Sequence, residues 1–249
     1  VNRQTFKTAR PVARLREGRT DWYRIENSSS PTARVYIYDE IGYVGISAQD
    51  FVKDLNEVKA PRIELHIDSP GGDVFDGVAI FNVIKDHPAD VTVIVDGIAA
   101  SAASFIAQAG DKIVMNRNSS MMIHDAHGLA IGNSKDMAEL AGLLDKASDN
   151  IASIYADRSG KPAEHWREQM RKETWYSAEE AVDAGLADEA IVQTIPAKSK
   201  NTFDLSVFSY AGRDNAPAPT PVTEEQAPQA DPFGALGQEL LTALKGAFS

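Results

Sequence analysis

The 249-residue sequence contains no cysteine, which excludes a disulfide scaffold, a thiolate metal site and a cysteine nucleophile. It has no G-x-x-x-x-G-K-[ST] loop, so it shows no sign of an ATP site of that kind. Basic side chains are in the minority. The 25 Lys and Arg against 36 Asp and Glu give a formal charge of −11, the wrong balance for gripping a nucleic-acid backbone. Long apolar runs are missing too. The nearest, residues 91–110, contains Asp96, Thr92, Ser101, Ser104 and Gln108, all costly in lipid. Residues 1–7 lack the apolar core of a signal peptide. These absences predict a soluble protein, of a reducing compartment or indifferent to redox, with no membrane and no nucleic-acid partner. What remains is 43% hydrophobic and 24% charged, the composition of a globular chain long enough for a sizeable core.

Residues 1–32 are polar and basic-leaning, end near Asn27-Ser-Ser-Ser-Pro31, and read as an N-terminal arm. From residue 33 the pattern is regular. Val35 and Ile37 predict a strand over 34–39. Ser47-Ala-Gln-Asp50 is a capping box with Asp in place of Glu, opening a helix with Phe51, Leu55 and Val58 on one face. Ile63, Leu65 and Ile67 alternate as a strand, the turn Ser69-Pro-Gly-Gly72 follows, and Val74, Val78 and Phe81 mark a helix ended by Pro88. Residues 91–95 form a continuous apolar strand of the buried kind, and Gly97-Ile-Ala-Ala-Ser101 leads into an alanine-rich helix to about 109. Short strands are expected at 112–115 and 121–124, and a long helix from 134 to about 158 closed by Gly160 and Pro162. A short helix near 163–171 precedes a second capping box, Ser177-Ala-Glu-Glu180, whose helix stops at Gly185. Repeated strand–turn–helix units predict an α/β fold with layered parallel strands. Residues 196–232 read as a disordered linker, rich in Pro, Ala, Thr, Glu and Gln from 214. Residues 233–249 read as an amphipathic helix with Phe233, Leu236, Leu240, Leu241, Leu244 and Phe248 on one side.

Three places could carry chemistry. Ser101 lies where an apolar strand meets an alanine-rich helix. A nucleophile there would have the helix N-terminus behind it and the next N–H facing a developing oxyanion, but serine at a helix start is also a common N-cap. The Ser69-Pro-Gly-Gly72 turn could expose backbone N–H groups as an oxyanion hole, or be a plain tight connection. His124 ends an apolar strand, where a general base could be held, although histidines after apolar runs are often structural. His127 would face the opposite side of a continued strand, and a turn could instead bring it to His124 around a metal. No third ligand is indicated, so no metal and no cofactor are expected. His66 reads as structural, His87 and His165 as surface residues.

Together Gly72, Gly97-Ile-Ala-Ala-Ser101 and Met122-Ile-His124 resemble the signature of the Clp protease proteolytic subunit family, self-compartmentalising serine peptidases of the Clp/crotonase fold. The resemblance runs from about residue 33 to 192 and includes Ser177-Ala-Glu-Glu-Ala-Val-Asp-Ala-Gly-Leu-Ala-Asp188. It implies a ββα spiral over residues 33–195, with Ser101 as nucleophile, His124 as its base, and the backbone N–H groups of Gly72 and Ala102 as the oxyanion hole. The family's acid is an Asp, and Glu173 stands at that position in Glu173-Thr-Trp-Tyr-Ser177. Asp125 adjoins His124 but would point to the other side of an extended strand. The resemblance also implies a ring-like homo-oligomer joined through the 134–158 helix. Its apolar residues Leu140, Leu143, Leu144, Ile151, Ile154 and Tyr155 cover more than one face.

The segments Ile37-Tyr-Asp-Glu-Ile-Gly42, Asp68-Ser-Pro-Gly-Gly-Asp73 and Glu173-Thr-Trp175 look closer to the Clp-like head maturation proteases of tailed phages and prophages. Those imply ATP-independent cleavage of a capsid or scaffold protein in the host cytoplasm or inside the procapsid. The alternative is the peptidase subunit of an ATP-dependent Clp protease in general protein turnover. A crotonase-like acyl-CoA enzyme and a non-enzymatic scaffold are the readings from other classes. The terminal helix is expected to dock on a capsid or scaffold partner, or on a protease body.

Overall fold

The computed structural model describes residues 22–26, 30–42, 47–128 and 130–191. The linker and terminal helix expected at 196–232 and 233–249 lie outside these. The last part of the expected N-terminal arm, 1–32, is not an arm. Trp22 is buried, and β1 (Tyr23–Glu26) pairs antiparallel with β2 (Thr32–Tyr38). Aromatic packing explains the correction. Trp22 stacks on Phe51 at 5.5 Å, Tyr23 meets it edge-on at 5.0 Å, and the Tyr23 hydroxyl donates to Asp54 Oδ2 at 2.8 Å. Phe51 and Asp54 belong to α1 (Ala48–Asn56), whose Ser47–Asp50 capping box forms as the sequence predicts.

The sheet continues through β3 (Arg62–Ser69), α2 (Val74–Lys85), β4 (Asp90–Ala100), α3 (Ala102–Ala107) and β5 (Lys112–Asn116). Next come β6 (Ser120–Ile123), α4 (Ser134–Ser159), α5 (Ala163–Arg171), β7 (Thr174–Ser177), α6 (Ala178–Ala184) and β8 (Glu189–Ile191). Strands β2, β3, β4, β5 and β8 run parallel in that order, as a buried α/β sheet requires. The fold is the mixed α/β architecture expected from the sequence. Strand β4 is longer than the expected 91–95, and it bends. Between Ile67↔Val95 and Ser69↔Ala99 its ladder with β3 shifts register, the effect of a bulge. Before the shift, Thr92 to Val95 pair with β5; after it, Ile98 to Ala100 pair with β6. The bend therefore carries the end of β4 away from β5 and onto the strand that precedes His124.

Side-chain alternation along this stretch separates two cores. Val93, Val95 and Ala99 belong to the main hydrophobic core, while Ile98, Ala100, Met122 and Trp175 form a smaller cluster on the other face. Helix α4 changes character along its length. Ile151, Ala152, Ile154 and Tyr155 are buried, whereas no residue before Ser148 is, and Leu143 is 45% exposed. Its end is the expected left-handed Gly160. His66 is buried against Asp96, as a structural histidine. His87 and His165 are not simply surface residues: both are partly buried, His87 accepting from Ala89 N–H at 3.2 Å and His165 edge-on to Trp166 at 5.0 Å.

Candidate active site

Ser101 occupies the N-cap position of α3, yet its side chain makes no capping hydrogen bond. Its backbone explains why. At φ 53° and ψ −121° it lies where L-residues with a Cβ are strained, and the turn aims the hydroxyl away from the helix N-terminus. Instead Ser101 Oγ lies 2.7 Å from His124 Nε2. With the ring proton on Nδ1, the serine donates and the imidazole accepts. The Ser101 N–H donates to Met122 O at 2.9 Å, tying the turn to the strand that ends just before His124.

The turn is supported from below. Ser104 Oγ donates to the Ser101 carbonyl at 2.5 Å, and the buried Tyr155 hydroxyl, from α4, meets Ser104 Oγ at 2.7 Å. Neither residue stands out in the sequence; they are 51 positions apart, and only the fold brings them together.

The glycine turn lies against the serine. A Cβ on Gly71, at φ +98°, would stand 2.7 Å from Ser101 Cβ and 2.8 Å from the Ala102 nitrogen. One on Gly72 would meet the Ile41 carbonyl at 2.1 Å. Glycine is thus required twice, and the turn reaches the start of α3. Ala102 is the first residue of that helix, where backbone N–H groups have no partner within the helix.

Glu173 is buried, lies at φ +50°, and accepts from Trp175 Nε1 at 3.1 Å. Strand β7 runs antiparallel to β6 with Met122↔Trp175 and Ile123↔Thr174. His124 and Glu173 are the residues that flank the same end of this ladder, one directly after β6 and one directly before β7. Glu173 is tied through its Trp175 bond to the small cluster of Ile98, Ala100, Met122 and Trp175.

Asp125 is engaged elsewhere, accepting from Arg167 Nη1 at 2.6 Å. The strand stops at Ile123, so His127 does not continue it; its ring lies 4.8 Å from that of His124. Burial, with repulsion from His127 added, pushes His124 down to about 3. Its imidazole is then neutral, the form that accepts a proton from serine. Among the described residues no group of three or more His, Asp or Glu side chains is placed to hold a metal ion.

A serine on a strained strand-to-helix turn, hydrogen-bonded to a neutral histidine, with small residues around it, is the arrangement of a serine hydrolase. Comparison with known proteins narrows the class. Residues 20–194 match the Clp protease family. The ATP-dependent Clp protease proteolytic subunit of Streptococcus thermophilus (strain CNRZ 1066) is 36% identical over 148 residues, 58% of this chain and 71% of the relative. The same subunit of Streptococcus salivarius is 36% identical over 148 residues, with the same coverage. The chain belongs to the Clp protease family and is a serine peptidase.

Proposed function

We propose that this chain is the proteolytic subunit of a compartmentalised serine protease that cleaves extended polypeptide. The 2.7 Å contact between Ser101 Oγ and His124 Nε2 carries the reading. Ser101 attacks the scissile carbonyl as His124 takes its proton. The resulting imidazolium is oriented and stabilised by the Glu173 carboxylate, and returns the proton to the leaving amine. The N–H groups of Gly72 and Ala102 hold the oxyanion, a task for backbone alone. Water then releases the acyl group by the same steps.

Two further parts of the proposal concern partners. The unpacked first half of α4, with Met137 38% and Leu143 45% exposed, supports a homo-oligomer joined through that helix into a ring. The relatives named above are ATP-dependent proteolytic subunits, which supports protein turnover with a separate unfolding ATPase, since the sequence carries no P-loop of its own. A second reading, ATP-independent cleavage of a capsid or scaffold protein in phage head maturation, is favoured by the segments at 37–42, 68–73 and 173–175. Hydrolysis of a short peptide, an unfolded protein and a folded tagged protein, each with and without a Clp-type ATPase and ATP, separates the two. Degradation of the folded protein only with ATPase and ATP supports the first. A single defined cut in a co-expressed capsid or scaffold protein without either supports the second.

A further inference from the structure

The end of α5 meets the active site at two points. The Met170 carbonyl accepts from the Asp125 N–H at 3.3 Å and from the Glu173 N–H at 3.0 Å. One acceptor thus joins the residue after His124 to the residue that carries the carboxylate. One turn earlier, Arg167 reaches the same segment, its Nη1 donating to Asp125 Oδ1 at 2.6 Å. Arg167 is 5% exposed, a burial that arginine tolerates only when paired. Its other nitrogens face α4. Nη2 donates to Asp145 Oδ1 at 3.2 Å, and Nε lies 2.9 Å from Asp149 Oδ1, in ion-pair range but off the hydrogen-bond direction. The Asp145 and Asp149 side chains are 76% and 69% exposed, that of Asp125 only 32%. Solvent screens the first two pairs most, so the Asp125 pair is the strongest tether.

The segment it tethers lies beyond the strand pairing. The β6–β7 ladder ends at Ile123↔Thr174. Beyond it, His124 is followed by Asp125, held by Arg167 and Met170, and by Ala126, whose N–H donates to Ser148 Oγ on α4 at 2.9 Å. We propose that Arg167 is a positioning residue for peptide hydrolysis: through Asp125 it sets where the His124 imidazole stands relative to Ser101 and Glu173. This rests on the reading of His124 as the general base. A forked guanidinium suits the task because it can engage Asp125 and α4 at once, which a lysine ammonium does less rigidly. A displacement of about 1 Å at the base costs on the order of 100-fold in rate.

The test uses the full-length chain with Arg167→Met, Arg167→Lys and Asp125→Asn, and Ser101→Ala as control. kcat and KM for a short fluorogenic peptide, and the rate of fluorophosphonate labelling, are measured below each variant's unfolding transition. Arg167→Met is expected to lower kcat and the labelling rate by about 10- to 100-fold with KM little changed, and Arg167→Lys to recover part of the loss. Asp125→Asn lowers kcat in the same sense, and adding Arg167→Met to it costs less than in the parent, because both act through one contact. A tie that merely holds α4 and α5 together would lower the melting temperature and leave kcat of the folded protein unchanged; that result overturns the proposal. If Arg167→Met does not fold, Asp125→Asn decides, and an unchanged kcat there is fatal. Undiminished hydrolysis by Ser101→Ala would remove the catalytic reading itself, a failure distinct from that of the tether.

Discussion

Replacing Ser101 by glycine and by alanine isolates the strain at the candidate nucleophile. Both variants lose the hydroxyl and its contact with His124, so they differ only in the Cβ. At φ 53° and ψ −121° a residue with a Cβ is held in a region that costs about 1–3 kcal/mol. Glycine escapes that cost but loses about 0.5–1 kcal/mol more conformational entropy on folding than alanine does. Middle values leave the glycine variant ahead by about 1 kcal/mol, a rise of about 2–4 °C in melting temperature for a chain of this size. At an unstrained position the order reverses, so the sign alone is diagnostic. Thermal and urea unfolding of both variants should be followed at one protein concentration, because assembly shifts apparent stability. A glycine variant no more stable than the alanine variant refutes the strained turn.

Ser101→Ala and His124→Ala are each expected to lower kcat for a short peptide by several orders of magnitude while circular dichroism stays unchanged. Glu173→Gln should retain more activity than either, since it removes the orienting charge but neither the nucleophile nor the base. Because burial and His127 hold His124 well below the usual histidine value, the base stays neutral as pH falls through 6.5, and the acid limb of kcat/KM lies below that point. His127→Gln removes a repelling charge, favours the protonated form of His124 and moves the limb to higher pH; a downward move contradicts this account. Gly71→Ala forces a Cβ to 2.7 Å from Ser101 Cβ and should cost about 100-fold or more in kcat, seen most directly as slowed fluorophosphonate labelling.

Much of this architecture was legible in the sequence because its signals are local. The Ser47–Asp50 and Ser177–Glu180 capping boxes, the 163–171 helix and the Gly160 and Gly185 stops all appear where their residue types demand. What was not legible depends on tertiary meetings. Strand β1 is four residues in a polar setting, and its pairing with β2 and the packing of Trp22 and Tyr23 on Phe51 make it worth folding. Strand β7 is equally short, and its register, not its composition, brings Glu173 and His124 to the same end of the β6–β7 ladder. Ser101 read locally as an N-cap, because a sequence does not display the positive φ that turns its hydroxyl away. The resemblance to the family supplied the nucleophile assignment. Arg167 gives no local signal: carboxylates 42 and 22 positions away pair with it, and the fold buries it.

Labelling the intact protein with a fluorophosphonate and mapping the adduct by mass spectrometry tests the central claim most directly. One adduct per chain is expected, on Ser101, lost in Ser101→Ala and strongly slowed in His124→Ala. An adduct on another residue, or undiminished labelling of Ser101→Ala, contradicts the account.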